Sequence, residues 1–365
     1  MTAGPREVLG RVDAELRALW ATAPAPGEIP KARACTMNLV VVASSPALAQ
    51  QWTPVVDEVV QGTPARAIVV GLEADGADAL EASVSAVCTP AGVCSERVTF
   101  VARGGMVTRM PSVVRSLCLT DVPTTLVWLG RVQADDPAFA PLAPEAGRIV
   151  LDAAQGSLSS LASVIYWARA RGEAERPGVA DLAWTRLAPW QELCAQMFDE
   201  PRVRALASQV ARLTLVQASA PGVELGSEGA LMLGWLATRL SWRAASFAGK
   251  LRLLRADGGT VAVTLKSAAG PDEGRSALHG LRLEAGGAGL TMTGEIAREH
   301  DAAAWRMEVS AGAGDVRRIE QRVRLRASDA AGLLERTLRR PARDAALVDA
   351  VAWADELRRE ELACV

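Results

Sequence analysis

Along the first twenty residues, apolar side chains recur at three- and four-residue intervals. Val8, Leu9, Val12, Leu16, Leu19 and Trp20 make one stripe, which predicts an amphipathic helix. APAPGEIP (23–30) breaks that period with its prolines and predicts a loop. Beyond it the pattern changes. CTMNLVVVA (35–43), ARAIVVGL (65–72), SERVTFVA (95–102), TTLVWLG (124–130) and RIVLDA (148–153) are short, apolar and rich in β-branched residues, which predicts strands. Helical spacing between them predicts crossover helices over Ser45–Gln61, Ala77–Val87, part of 105–119 and about 158–171. Pro46 is tolerated in a first turn, and Pro111 lies inside or at the edge of its helix. Alternating strands and helices are the mark of βαβ units. They predict a three-layer α/β N-terminal domain with a mostly parallel sheet, assigned to residues 1–175.

RGEAERPGVAD (171–181) reads as a charged connector. After it, 181–200 is expected to become helical from Pro189 onward. VARLTLVQA (210–218) predicts a strand, and 226–242 a helix with Ser227 at its N-cap and Leu231, Trp235 and Leu236 on its buried face. From Lys250 to Leu325, short alternating runs are separated by glycine-rich turns such as ADGGT (256–260) and EAGGAG (284–289), the pattern of an antiparallel sheet. Helical pieces at 329–339 and 344–362 complete an α+β C-terminal domain, assigned to 176–365.

Composition narrows the chemistry. The 365 residues carry 40 basic and 42 acidic side chains, a formal charge of −2, so a generally basic nucleic-acid binder is excluded. No apolar run is long enough to span a bilayer, and the N-terminal stretch lacks the continuous apolar core of a signal peptide. A cytoplasmic protein without membrane contact is expected. General acid–base chemistry has few candidates: two histidines (His279, His300), one tyrosine (Tyr166) and three lysines (Lys31, Lys250, Lys266). Arginine supplies nearly all the positive charge and does not readily give up its proton, which favours a binding surface over a proton-transfer site.

The recognised catalytic signatures are missing. The first strand is followed by ASSPALAQ, without the glycines that let a pyrophosphate approach the backbone, and no phosphate-binding loop occurs anywhere. There is no G-x-S-x-G elbow and no H-E-x-x-H. No clustered ligands predict a metal, and no cofactor is expected. Of six cysteines, Cys88 and Cys94 stand in VCTPAGVCSE, where Pro90 and Gly92 can turn the chain back on itself. They are either ordinary thiols beside a turn or a candidate redox pair.

Tryptophans stand out beside fixed charges: Trp184 and Trp190 with Asp181 and Arg186, Trp235 and Trp242 with Arg239, and Trp128 after Asp121 and Pro123. Arg239 follows Trp235 by four residues and shares its helix face. Tryptophan and arginine are enriched at interface hot spots, but indoles also fill cores, and both readings stand at this point. An arginine-rich stretch at 315–343, nine arginines against four acids, is a second candidate contact for an acidic partner.

TPARAIVV (63–70), LTDVPTTLVWLG (119–130), DLAWTRLAPWQEL (181–193) and GWLATRL (234–240) together resemble, in order and spacing, the glucose-6-phosphate dehydrogenase assembly protein family, OpcA. The resemblance implies a non-catalytic protein with an α/β N-terminal domain and a separate C-terminal domain. Such a protein binds glucose-6-phosphate dehydrogenase, promotes its active oligomer and controls entry into the oxidative pentose phosphate pathway. Arg66, Asp121, Pro123, Trp128, Asp181, Trp184, Arg186, Trp190, Trp235 and Arg239 occupy the motif positions and are the candidate partner-binding residues. Many relatives read H-P-S-R where this chain has Thr63, Pro64, Ala65 and Arg66, so only the proline and arginine carry over. The rival reading is a small-molecule-binding or catalytic α/β protein, with its ligand at the strand carboxyl ends near Ser44, Gly71 and Gly130.

Overall fold

The computed structural model describes residues 4–21, 31–218, 225–247, 250–268, 277–299, 302–311, 315–324 and 329–363. The loop expected at 23–30, His300 and Cys364 lie outside the described residues. Two compact units divide the chain. One comprises Met1–Asp152, Ser163–Leu182 and Asp329–Asp344; the other comprises Ala153–Ala162, Ala183–Ser328 and Ala345–Val365. The main passage lies near the boundary expected at 175/176, but 153–162 and 329–344 each join the unit that a linear cut assigns to the other side.

The first half of the chain runs α1 (Pro5–Ala21), β1 (Ala32–Arg33), β2 (Met37–Ala43), α2 (Pro46–Gly62), β3 (Ala65–Glu73), β4 (Ala79–Cys88), β5 (Val93–Arg103), α3 (Met110–Leu117), β6 (Thr124–Leu129), β7 (Arg148–Leu151), α4 (Leu158–Arg169) and β8 (Gly178–Asp181). Its sheet has the order β1-β5-β3-β2-β6-β7-β8, with β4 also on β5, and only the β4–β5 pair is antiparallel. Leaving out β1 and β4, the third, second, first, fourth, fifth and sixth strands lie side by side, the doubly wound order of dinucleotide-binding folds. The central strand β2 is covered on both faces, which is why its sequence is a continuous apolar run: Leu39 through Ala43 are all buried. Helix α2 starts where Ser45 Oγ accepts the Leu48 amide at 3.1 Å with Pro46 in the first turn, and it buries Ala49, Trp52, Val56, Val59 and Val60 along one stripe.

One expected helix is a strand. Leu80, Val84 and Val87 have helical spacing, yet 79–88 forms β4. The free edge of β5 offers ten residues of unpaired backbone, and a hairpin closed at 89–93 satisfies them. The connector 171–181 likewise ends in β8, which pairs in parallel with β7.

The second half runs α5 (Leu182–Gln196), α6 (Pro201–Arg204), β9 (Val210–Ala218), α7 (Ser227–Arg239), β10 (Arg243–Phe247), β11 (Lys250–Leu254), β12 (Thr260–Ser267), β13 (Ala277–Gly287), β14 (Leu290–Glu299), β15 (Ala302–Ala311), β16 (Asp315–Arg324), α8 (Ala330–Arg339) and α9 (Ala345–Ala363). Strands β9–β16 build a second sheet in the order β10-β11-β12-β9-β13-β14-β15-β16. It is antiparallel except for the parallel β9–β12 pair. Alternation sorts its faces: Leu213, Leu215, Leu281, Leu283, Met292, Ile296 and Met307 are buried, while the other face carries ion pairs such as Arg212–Glu284 (2.6 Å) and Arg318–Glu308 (3.0 Å).

Helix α5 does not wait for Pro189, which lies inside it. Burying Leu182, Trp184 and Leu187 is worth about 2 kcal/mol each and outweighs the ~3 kcal/mol cost of an internal proline. Gly226, and not Ser227, caps α7. Cys194 in α5 is fully buried, and desolvation pushes its thiol up to about 12.

Helix α8 belongs to the first unit. Ala331, Leu333 and Leu334 share a core cluster with Trp52, Val56 and Val59 of α2. At its C-terminal end, Arg148 donates to the carbonyls of Thr337 (3.1 Å), Leu338 and Arg340 (2.8 Å), placing a cation where unpaired carbonyls accumulate. Replacing Arg148 by Ala removes an interaction of about 1–2 kcal/mol. Amide exchange over 330–339, followed by mass spectrometry, is then expected to speed up roughly tenfold; unchanged exchange would show that core packing alone holds α8.

Candidate functional site

In a doubly wound sheet a ligand enters at the carboxyl ends of the strands where the order reverses, here between β2 and β6. The chain itself packs closely there. Ser44, directly after β2, donates its amide to Leu129 O at 3.0 Å. Gly130 follows β6 at φ +109°, and a Cβ there would lie 2.4 Å from Ser44 Oγ. A Cβ on Gly71 would lie 2.7 Å from the Pro46 Cα. Ser45 occupies the Leu48 amide, one of the first-turn donors that would otherwise face a phosphate. Of the residues of the rival small-molecule reading, Gly130 therefore packs on Ser44 and Gly71 on Pro46, with Ser44 itself exposed.

The amino ends of the strands hold the polar structure. Glu96 of β5 is 1% exposed and takes five donors: Trp20 Nε1 at 2.7 Å, Arg33 Nε and Nη2 at 2.9 and 3.2 Å, and Arg66 Nε and Nη2 at 2.8 and 2.6 Å. Arg66 turns its remaining nitrogen to Leu117 O at 2.8 Å. Alongside, the buried Asn38 of β2 clamps Leu119, accepting its amide at 2.9 Å and donating to its carbonyl at 2.9 Å, and also donates to Thr124 Oγ1 at 3.0 Å. Together Arg66 and Asn38 fix the loop 118–123 that carries Asp121 and Pro123. Neither Asn38 nor Glu96 was singled out from sequence. The available signal was a lone amide and a lone carboxylate inside otherwise apolar strands, a costly placement unless paired. Cys35 and Cys118 lie in this neighbourhood, each with its thiol raised mainly by burial.

Among the motif positions, Trp128, Asp181, Trp184 and Trp190 are buried. Trp128 stacks edge-on against Phe139 with centroids 5.2 Å apart. Trp242 is buried as well, and its carbonyl accepts Trp353 Nε1 at 3.0 Å. These indoles work in the cores of their units. Arg186 is partly buried and pairs with Glu228 at 2.6 Å; Glu228 also accepts the Leu278 amide at 2.9 Å, so one carboxylate ties α5, α7 and β13 together. Gly234 lets α9 approach closely, since a Cβ would lie 2.3 Å from Ala350 O. Trp235 is half-buried, and Asp121, Pro123 and Arg239 are exposed.

The arginine-rich stretch 315–343 is not one surface. Its first part is β16 of the second unit, where Arg317 and Arg322 pair with Glu200 and Glu299, each at 3.1 Å; its last part is α8 and Arg343 of the first unit. Cys88 and Cys94 face each other across the β4–β5 hairpin and form a disulfide. Among the described residues, no three His, Cys, Asp or Glu side chains are grouped to hold a metal ion, and no helix is long and apolar enough to cross a membrane.

Both halves of the chain match known domains. Residues 56–166 match a glucose-6-phosphate dehydrogenase subunit N-terminal domain, and 177–351 match the C-terminal domain of the same subunit. The chain belongs to the OpcA family. Relatives in Synechocystis sp. and Nostoc punctiforme, both named "Putative OxPP cycle protein OpcA", are each 28% identical over 206 residues, or 53% of this chain. The match spans only 40% and 41% of those relatives' own lengths. Solved structures with a similar outline include an oxidoreductase from Sinorhizobium meliloti, with TM-score 0.46, 10% identity and coverage of 90% of this chain and 98% of the other. Another is an oxidoreductase domain protein from Kribbella flavida, with TM-score 0.41, 9% identity and coverage of 90% and 97%.

Within this OpcA-family chain, Arg186 of the DLAWTR motif is thus paired with Glu228, which lies just ahead of the GWLATR motif on the same helix. Replacing Glu228 by Ala removes this pair and the acceptor of the Leu278 amide, and is expected to cost about 3 kcal/mol in urea unfolding. A loss below ~0.5 kcal/mol would show that solvent already screens the pair.

Proposed function

We propose that this OpcA-family chain is a cytoplasmic, non-catalytic assembly factor and allosteric activator of glucose-6-phosphate dehydrogenase, acting at the entry to the oxidative pentose phosphate pathway. The match of both halves to domains described as a glucose-6-phosphate dehydrogenase subunit carries this reading. The close packing at the strand carboxyl ends supports its non-catalytic part. Where a dinucleotide's pyrophosphate would need bare backbone, Ser44 lies on Gly130 and Pro46 on Gly71. The site offers no titratable side chain among those residues.

Activation needs no chemistry from the activator. A protein that binds the active form of the dehydrogenase more tightly than the inactive form shifts the population toward it. A tenfold gain in apparent substrate affinity requires about 1.4 kcal/mol of such preference. With most of the motif indoles internal, the accessible motif groups are Asp121 and Pro123 in the first unit and Arg239 beside Trp235 in the second. Steady-state kinetics of the dehydrogenase, with and without equimolar protein, are expected to show a lower KM for glucose-6-phosphate or a shift to larger oligomers. Neither change, or micromolar NADPH binding by this chain alone, would overturn the reading.

The Cys88–Cys94 disulfide favours an added redox sensitivity. An external dithiol would supply two electrons and two protons, giving two thiols beside the turn of the hairpin. Its closed loop has a sequence separation of only 6, so the bond contributes about 2 kcal/mol or less to stability. Replacing Cys88 by Ser is expected to abolish any difference between oxidised and reduced protein in dehydrogenase activation; a difference that survives the substitution would assign it to another thiol.

A further inference from the structure

Beneath the loop that Asn38 and Arg66 hold lies a cavity of about 380 Å³ in the first unit. Its floor is apolar: Val40 and Leu126, neighbours on adjacent strands, with Val114 of α3 and Leu142, all buried. The cavity opens to solvent at its rim; since a dry apolar cavity of ~150 Å³ admits benzene, this space is large enough for a bulky side chain. The wall on one side is the motif segment itself, Leu119, Val122 and Pro123. The rim bears Arg115 and Glu145, 3.8 Å apart and both exposed, while the exposed Asp121 lies in the same loop and makes no ion pair among the described residues.

We infer that this cavity receives an apolar side chain of the dehydrogenase, presented next to a basic residue that pairs with Asp121 and Glu145. The inference rests on the assembly function proposed above and names where the partner is gripped. Three features select this occupant. A polar metabolite needs buried groups to orient it. Here Thr124 Oγ1 is already bonded to Asn38, and the one cation, Arg115, stands at the rim beside Glu145. A second copy of this chain would bring a rim of the same composition, two acids (Asp121, Glu145) against one arginine (Arg115), so an excess of like charge would face itself. A large apolar anchor with a flanking cation satisfies both floor and rim. The loop that walls it is also pre-ordered, Asn38 donating two hydrogen bonds and accepting one and Arg66 donating one, so little entropy is lost on docking.

Gly147 provides the test. It lines the cavity, and a Cβ there would meet nothing closer than Thr124 O at 3.9 Å, so a side chain can be added without a clash at Cβ. Gly147→Phe places a large side chain at the cavity's edge. Binding of the full chain to purified glucose-6-phosphate dehydrogenase is expected to weaken by about 30-fold or more, the loss typical of an interface hot spot. Asp121→Arg, fully on the surface, is expected to weaken it roughly fivefold to tenfold, with the loss shrinking at high salt. Cys118 also lines the cavity, and bound dehydrogenase is expected to slow its alkylation by iodoacetamide while a Cys35→Ser background removes the neighbouring thiol.

Wild-type binding with unchanged Gly147→Phe affinity and unprotected Cys118 would overturn the inference and leave the assembly function standing. A Gly147→Phe variant that converts a wild-type dimer to a monomer would overturn it in favour of a second copy. Loss of binding by the wild type itself would remove the assembly function instead. If Gly147→Phe fails to fold, Asp121→Arg and the Cys118 protection decide.

Discussion

The Glu96 carboxylate is the constraint around which the first unit's working end is organised. A buried anion is tolerated only when donors surround it, and Trp20, Arg33 and Arg66 converge on this one from α1, β1 and β3. Once Arg66 is held there, its free nitrogen reaches Leu117 O and steadies the end of α3. Asn38 of β2 then clamps Leu119 by both its amide and its carbonyl, and bonds Thr124 Oγ1. A motif arginine therefore acts through the backbone it braces.

The two ends of the parallel sheet have exchanged their usual roles. In dinucleotide-binding folds the carboxyl end stays open because glycines keep side chains away from the phosphates. Here glycines are present at 71 and 130, but they admit the chain's own Pro46 and Ser44. The open space lies at the amino end, where the strands begin and the 118–124 loop crosses. The doubly wound order therefore does not by itself fix what a chain does, since function lies in the site the fold carries.

Much of the architecture was legible from periodicity. The buried strands of the first unit and the hairpins of the second follow from continuous and alternating apolar patterns, which reflect coverage of two faces or one. Residues 79–88 misled because Leu80, Val84 and Val87 satisfy a helical spacing as well as a strand, and only the vacant edge of β5 decides between them. Residues 178–181 misled because an edge strand of four residues is too short to show a period. Pro189 misled because local cost was weighed without the burial of Leu182 and Trp184 that offsets it.

The candidate site was legible as residue types and opaque as roles. Membership of the family, the poverty of acid–base groups and the absence of a phosphate-binding glycine loop all follow from the order of residues, because each depends on what is present along the chain. Which tryptophans face solvent, which carboxylate collects the arginines and where space is left unfilled depend on groups far apart in sequence, Trp20 with Glu96 or Arg148 with α8. Such pairings are set by how layers stack, and stacking is a property of the folded chain alone.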